Sequence, residues 1–154
     1  MRYNQVKDFV EWAADYHGRM ARQYRAAADS SDQQRLVMAL TYLADSELRM
    51  KTGLEALFSD GFNHKEVLEI WFDDPNDFPQ PPALEALAQQ TMADSIDELT
   101  RVAVESHRKL QGLYEHRASR AKIEPEETFF NALAEGHHAE ARKLVTSMQE
   151  FEDI

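Results

Sequence analysis

Four stretches of this chain carry apolar and small side chains at three- and four-residue steps, and that period confines the fold to helices packed through one face. The first runs from about Val6 to Ala28 through Val10, Ala13, Met20, Ala21, Tyr24 and Ala28. Ser30-Ser31-Asp32 interrupts it. Ser31 with Gln34 has the form of a capping box and opens a second stripe through Leu36, Leu40, Leu43, Glu47, Met50, Leu54 and Leu57. Ser95 with Glu98 opens a third, through Ile96, Leu99, Ala103, His107, Leu110 and Tyr114. The fourth follows Glu124-Pro125-Glu126-Glu127, where proline and acids suit a first helical turn, and carries Phe130, Ala134, His137, Ala141, Leu144, Met148 and Phe151. These signals predict helices over 6–29, 32–58, 94–121 and 125–151.

The connections decide how such helices are arranged. Two are short, whereas residues 59–93 form a long one, with a stop at Ser59-Asp60-Gly61 and short helical stretches from His64 to Phe72 and from Ala83 to Gln90. Between these, Asp73 to Pro82 holds four of the five prolines. The reading is an all-α, up-down four-helix bundle, a single domain over residues 1–154, with one long crossover between its second and third helices. A chain of 154 residues with 43% hydrophobic and 29% charged residues buries enough core to fold without metals or disulfides as staples.

Composition removes several kinds of chemistry. There is no cysteine, which rules out thiolate metal sites, iron–sulfur clusters and thiol nucleophiles, and fits a reducing compartment. The net charge of -11 lacks the clustered cations that binding to a phosphate backbone requires, so nucleic acid is not expected as a partner. No apolar run approaches the roughly 20 residues of a membrane span, and Met1-Arg2-Tyr3-Asn4-Gln5 lacks a signal-peptide pattern. The expectation is a cytoplasmic protein without a membrane partner.

Polar residues lie inside the apolar stripes. Asp15-Tyr16-His17 with Tyr24 in the first helix is echoed by Glu105-Ser106-His107 with Tyr114 in the third, and seven residues are two turns, so each His shares its Tyr's face. Small neighbours, Ala13 and Ala21 about His17 and Ala103 about His107, leave room for the imidazoles. Glu47 lies between Leu43 and Leu54, where a bare carboxylate is costly, so it needs a cation, a proton or a donor.

The four-helix layout, the stretch Ala44 to Met50 and the sequence Ala134-Glu135-Gly136-His137-His138-Ala139-Glu140 resemble the rubrerythrin and ferritin-like superfamily. That resemblance implies two metals between a Glu from each of helices one and three and a Glu-x-x-His unit from each of helices two and four. Carried over, the ligand positions fall on His17 and His107, where glutamate is expected, and on Glu47, with Met50 in place of the histidine. Helix four offers two registers. The motif selects Glu135 and His138, whereas the apolar stripe selects His137; the latter is favoured, because the former turns Arg142 toward the core.

Two dications roughly 3.5–4 Å apart repel strongly, and one or two inward carboxylates offset that poorly. One transition-metal ion (Fe, Zn, Ni or Cu) held by imidazoles and Glu47 suits the donors better. Nothing in the chain specifies the closed shell of an iron store. Two classes stay open: a metal-dependent oxidoreductase or metal-handling protein, and a non-enzymatic binding or assembly module whose polar residues satisfy one another. For the second class, Trp12, Trp71, Phe72 and Phe78 offer the surface of a homodimer contact, although packing of the crossover on its own bundle would use the same residues.

Overall fold

The computed structural model describes residues 5–59, 61–73, 82–91 and 94–154. The fold is all-α. Helices α1 (Val6–Ser30), α2 (Gln34–Ser59), α5 (Ile96–Ser119) and α6 (Glu124–Asp153) are long, and the short α3 (Gly61–Leu68) and α4 (Pro82–Gln89) lie within the crossover. Phe78 and the run of prolines before α4 lie outside the described residues, as does Asp74. Among the described residues no helix is long and apolar enough to cross a membrane.

Each long helix exists because its stripe is buried: in α1 and α5 every stripe residue named above is inside, and in α6 only Phe151 is partly exposed. The predicted boundaries of these four helices differ from the observed ones by at most two residues, whereas α3 begins at Gly61 and ends at Leu68, ahead of the predicted His64 to Phe72. The start of α2 differs for a definite reason. Ser31 is extended and closes α1, and its hydroxyl accepts from the Gln33 N–H at 3.2 Å, so it serves the turn and the helix begins at Gln34. Ser95 does cap α5, accepting from the Glu98 N–H at 3.2 Å.

Packing is most extensive between α1 and α2 and between α5 and α6, which makes two hairpins. Cross-contacts fix their relative direction. Phe9 meets Tyr114 and Phe130, while Tyr16 meets Ser106, so α1 runs antiparallel to α5. His17 stacks on His137 one level above the Phe9–Phe130 contact, so α1 and α6 run parallel. The Lys51 side chain from α2 lies over Gly18 of α1, where a Cβ would be 3.2 Å from the Lys51 Cε.

The crossover is pinned at both ends. The Val6 N–H donates to the Ile70 carbonyl at 2.9 Å beside an antiparallel bridge between Gln5 and Trp71, and the Lys122 ammonium donates to the Trp71 carbonyl at 3.0 Å. On α4, Glu85 accepts from the Trp12 indole N–H and from the Arg19 guanidinium, both at 3.0 Å. Trp12 and Phe72 are therefore buried against their own bundle, and of the aromatic residues considered for a dimer contact only Trp71, 59% exposed, is on the described surface.

Gly136 lies on the exposed side of α6, and a Cβ there meets nothing within 4 Å. Gly136→Ala is expected to stabilise the chain by about 0.5–1 kcal/mol, because alanine has less unfolded-state freedom to lose. Urea unfolding should show a higher midpoint at an unchanged slope.

Candidate functional site

Each of the four long helices places one titratable side chain at the same level of the interior. His17, Glu47, His107 and His137 are 0, 2, 1 and 3% exposed. The His17 Nδ1–H donates to Glu47 Oε2, and because a carboxylate only accepts, that nitrogen carries the proton. His107 Nε2 lies 3.9 Å from Glu47 Oε1, and His107 Nδ1 is 3.0 Å from His137 Nδ1, one nitrogen donating and the other accepting. The His137 ring stacks on His17 with centroids 5.4 Å apart and on Tyr114 at the same separation.

The electrostatics follow from burial. Desolvation by itself raises the Glu47 carboxyl, but the charge and hydrogen bond of His17, together with the charge of His107, outweigh it and hold Glu47 below its usual value. Desolvation lowers His107, opposed in part by Glu47 and Glu140. His137 is lowered well below its usual value by desolvation and by its two histidine neighbours. Both histidines of the second hairpin are thus neutral near pH 7 and offer lone pairs. His17 Nε2 and the Tyr24 and Tyr114 hydroxyls are buried with no hydrogen-bond partner among the described residues.

The bonded pairs expose an internal correspondence. His17–Glu47 and His107–His137 each span 30 residues, and Tyr16 and Ser106, whose hydroxyls are 2.8 Å apart, span the same 90 that separate His17 from His107. The hairpins therefore match residue for residue: His137 occupies the place of Glu47, and Glu140 the place of Met50. Burial holds the Tyr16 phenol well above its usual value, and this neutral hydroxyl and Ser106 together close the side of the cluster between α1 and α5.

Of the sequence-derived candidates, the structure brings His17, Glu47, His107 and His137 together. Glu135 and His138 are exposed on the other face of α6, with His138 in a surface groove beside Arg108 and Arg142, because the apolar stripe and not the Glu-x-x-His spacing sets the rotation of this helix. Met50 is only half-buried. Sequence reasoning passed over Tyr16, Ser46, Ser106 and Glu140. Three of them immediately precede a cluster residue, and Glu140 lies one turn beyond His137, which were the available signals.

As to a metal ion, among the described residues no three His, Asp or Glu side chains are arranged to hold one. Three imidazoles and one carboxylate are nonetheless donor types that a late transition-metal ion takes. His17 Nε2 has no hydrogen-bond partner among the described residues, whereas the Nδ1 atoms of His107 and His137, 3.0 Å apart, are taken up by each other. With one fully buried carboxylate the set does not suit two dications. No family model, curated protein or solved structure matches this chain.

Proposed function

We propose that this chain is a ferritin-like helical protein whose mid-bundle cluster of His17, Glu47, His107 and His137 binds one transition-metal ion (Fe, Zn, Ni or Cu), for redox or metal-handling chemistry. The observation that carries this reading is the convergence of three imidazoles and a carboxylate, one from each long helix, in a dry interior. Burying four titratable groups at one level is costly unless they serve one another or a shared cation. The ferritin-like assignment is supported by the two antiparallel hairpins, the parallel course of α1 and α6, and the crossover that returns along the bundle past α1. His107 and His137 would present neutral nitrogens to the ion, and Glu47 would offset its charge. A bound ion would supply Lewis-acid or one-electron chemistry.

A second reading rests on the pairing itself. Glu47 already has His17, and His107 already has His137, so the cluster also suits a non-enzymatic bundle that has kept its polar core without metal. Metal analysis of protein purified without an affinity tag, then dialysed against each of the four ions in turn, separates the two. The expected result is one tightly held equivalent per chain; a stable apo-protein that retains none of them would overturn the metal reading in favour of the second.

A further inference from the structure

The two hairpins match residue for residue, yet their outer grooves are built differently. On the first, the Lys51 side chain lies across Gly18 with the Arg22 guanidinium beside it, and the Lys51 ammonium is 3.6 Å from Glu55. That groove is filled from within the chain. On the second, Gly112 stands in the place of Arg22, Ala141 in that of Lys51 and Val145 in that of Glu55. A Cβ on Gly112 would meet nothing within 4 Å. The result is an open groove between α5 and α6 of about 710 Å³, floored by Val104, Gly112 and Ala141, with Val145 48% exposed beside them.

The rim of this groove is cationic. Arg108 from α5 and Arg142 from α6 both line it, both are exposed, and neither guanidinium makes an ion pair among the described residues. Their neighbours on α5 are already engaged, Arg101 with Glu98 and Glu105, and Lys109 with Glu105. Two unpaired guanidiniums beside an apolar floor, on a chain of net charge -11, reverse the local sign and favour an anionic occupant. Shape decides what carries that anion. A second cavity shares Val104 and Arg108 and extends to Arg101, so the groove follows α5 from Arg101 to Glu115, roughly 20 Å at the helical rise. It is open to solvent along this length, whereas a small-molecule site buries roughly 70–90% of its ligand. A second copy presenting the same face would set Arg108 and Arg142 against their own like. A phosphate backbone would meet Glu105 and Glu115 at the groove's edge.

We infer that the α5–α6 groove is the docking surface for an acidic amphipathic helix of a partner protein. The helix lays its apolar stripe along Val104, Ala141 and Val145, comes close over Gly112, and sets carboxylates on its two flanks against Arg108 and Arg142. Docking there is independent of the metal reading, since no residue of the mid-bundle cluster lines the groove.

The test is selection by the full chain from a displayed library of helical peptides about 18 residues long, with a fixed leucine stripe and flanking positions free to be Glu, Gln or Lys. Glu is expected to be selected on both flanks. Fluorescence anisotropy of the selected peptides should then show binding weakened about tenfold or more in Arg108→Glu and in Arg142→Glu, and falling as salt is raised. Gly112→Arg with Ala141→Lys, which gives the second hairpin the filling of the first, should lose at least as much, and melting curves check that each variant is folded. Selection of Lys or Gln flanks overturns the inference, as does a library that yields no binder. So do selected peptides that bind Arg108→Glu and Arg142→Glu as tightly as wild type. Self-association of wild type in sedimentation velocity that either charge reversal abolishes overturns it too, because the groove would then be a contact between copies.

Discussion

Replacing Glu126 with alanine is expected to destabilise the chain by about 3–5 kcal/mol, because it breaks a buried ion pair and removes an acceptor inside the α5–α6 turn. Glu126 is fully buried, and Arg117, at the end of the preceding helix, is 3% exposed with Nη2 3.6 Å from Glu126 Oε2. The Arg117 guanidinium also lies over the Phe72 ring at 4.3 Å, so Arg117 anchors the crossover from below while Glu126 closes the α5–α6 turn by accepting from the Lys122 N–H at 2.8 Å. Three elements meet on one ion pair. Against a total stability of about 5–15 kcal/mol, the loss would lower the melting temperature by roughly 10 °C or more. Glu126→Gln keeps an acceptor for Lys122 and should cost less. Joint replacement by Arg117→Met and Glu126→Leu should recover much of the deficit, since a buried pair often contributes little over apolar residues of similar volume. Chemical denaturation of the three variants decides it; a cost below about 1 kcal/mol for Glu126→Ala would mean that the pair is solvated in solution.

Glu126 also shows where sequence stops being legible. Its position in a first helical turn accounts for a carboxylate by the helix dipole alone, and nothing local says that Arg117 turns inward to meet it. The stripes were legible because their period is set directly by burial, which is why the interior positions of His17, Glu47, His107 and His137 could be read. The rotation of α6 was legible for the same reason: placing Glu135 and His138 inside would have buried Arg142, which is exposed. Contacts between elements far apart in sequence left no periodic trace. Trp12 reads as an exposed aromatic until α4 lays Glu85 across its indole N–H, and Val6 reads as an ordinary helix start until the Ile70 carbonyl receives its N–H. Hydroxyl partners were the hardest to find, because Tyr16 and Ser106 each look like the neighbour of a histidine and become a pair only when the two hairpins face each other.

Glu47→Gln is expected to lower affinity for the bound metal by about 100-fold or more, because an amide oxygen replaces the one fully buried anionic donor. Saturating metal should raise the melting temperature of wild type by mass action and leave the variant almost unmoved. Without metal the same substitution probes the pairing with His17. The Glu47 carboxyl is held below its usual value in the folded state, so its ionisation contributes stability above the unfolded value of about 4.3 and loses it as pH falls through the folded one. Wild type should therefore lose stability steeply on acidification below about pH 4.3, while the Gln variant starts lower near neutrality and falls less over the same acid window. Near neutrality its deficit should be about 1–3 kcal/mol, since the oxygen of the new amide can still accept from the His17 Nδ1–H. Metal affinity and the acid limb thus report on the two readings of the cluster separately. Loss of the metal-dependent shift favours the ion site, and a changed acid limb with no metal effect in either protein favours the self-satisfied core. A variant that matches wild type in both would show that Glu47 is not paired in this interior at all.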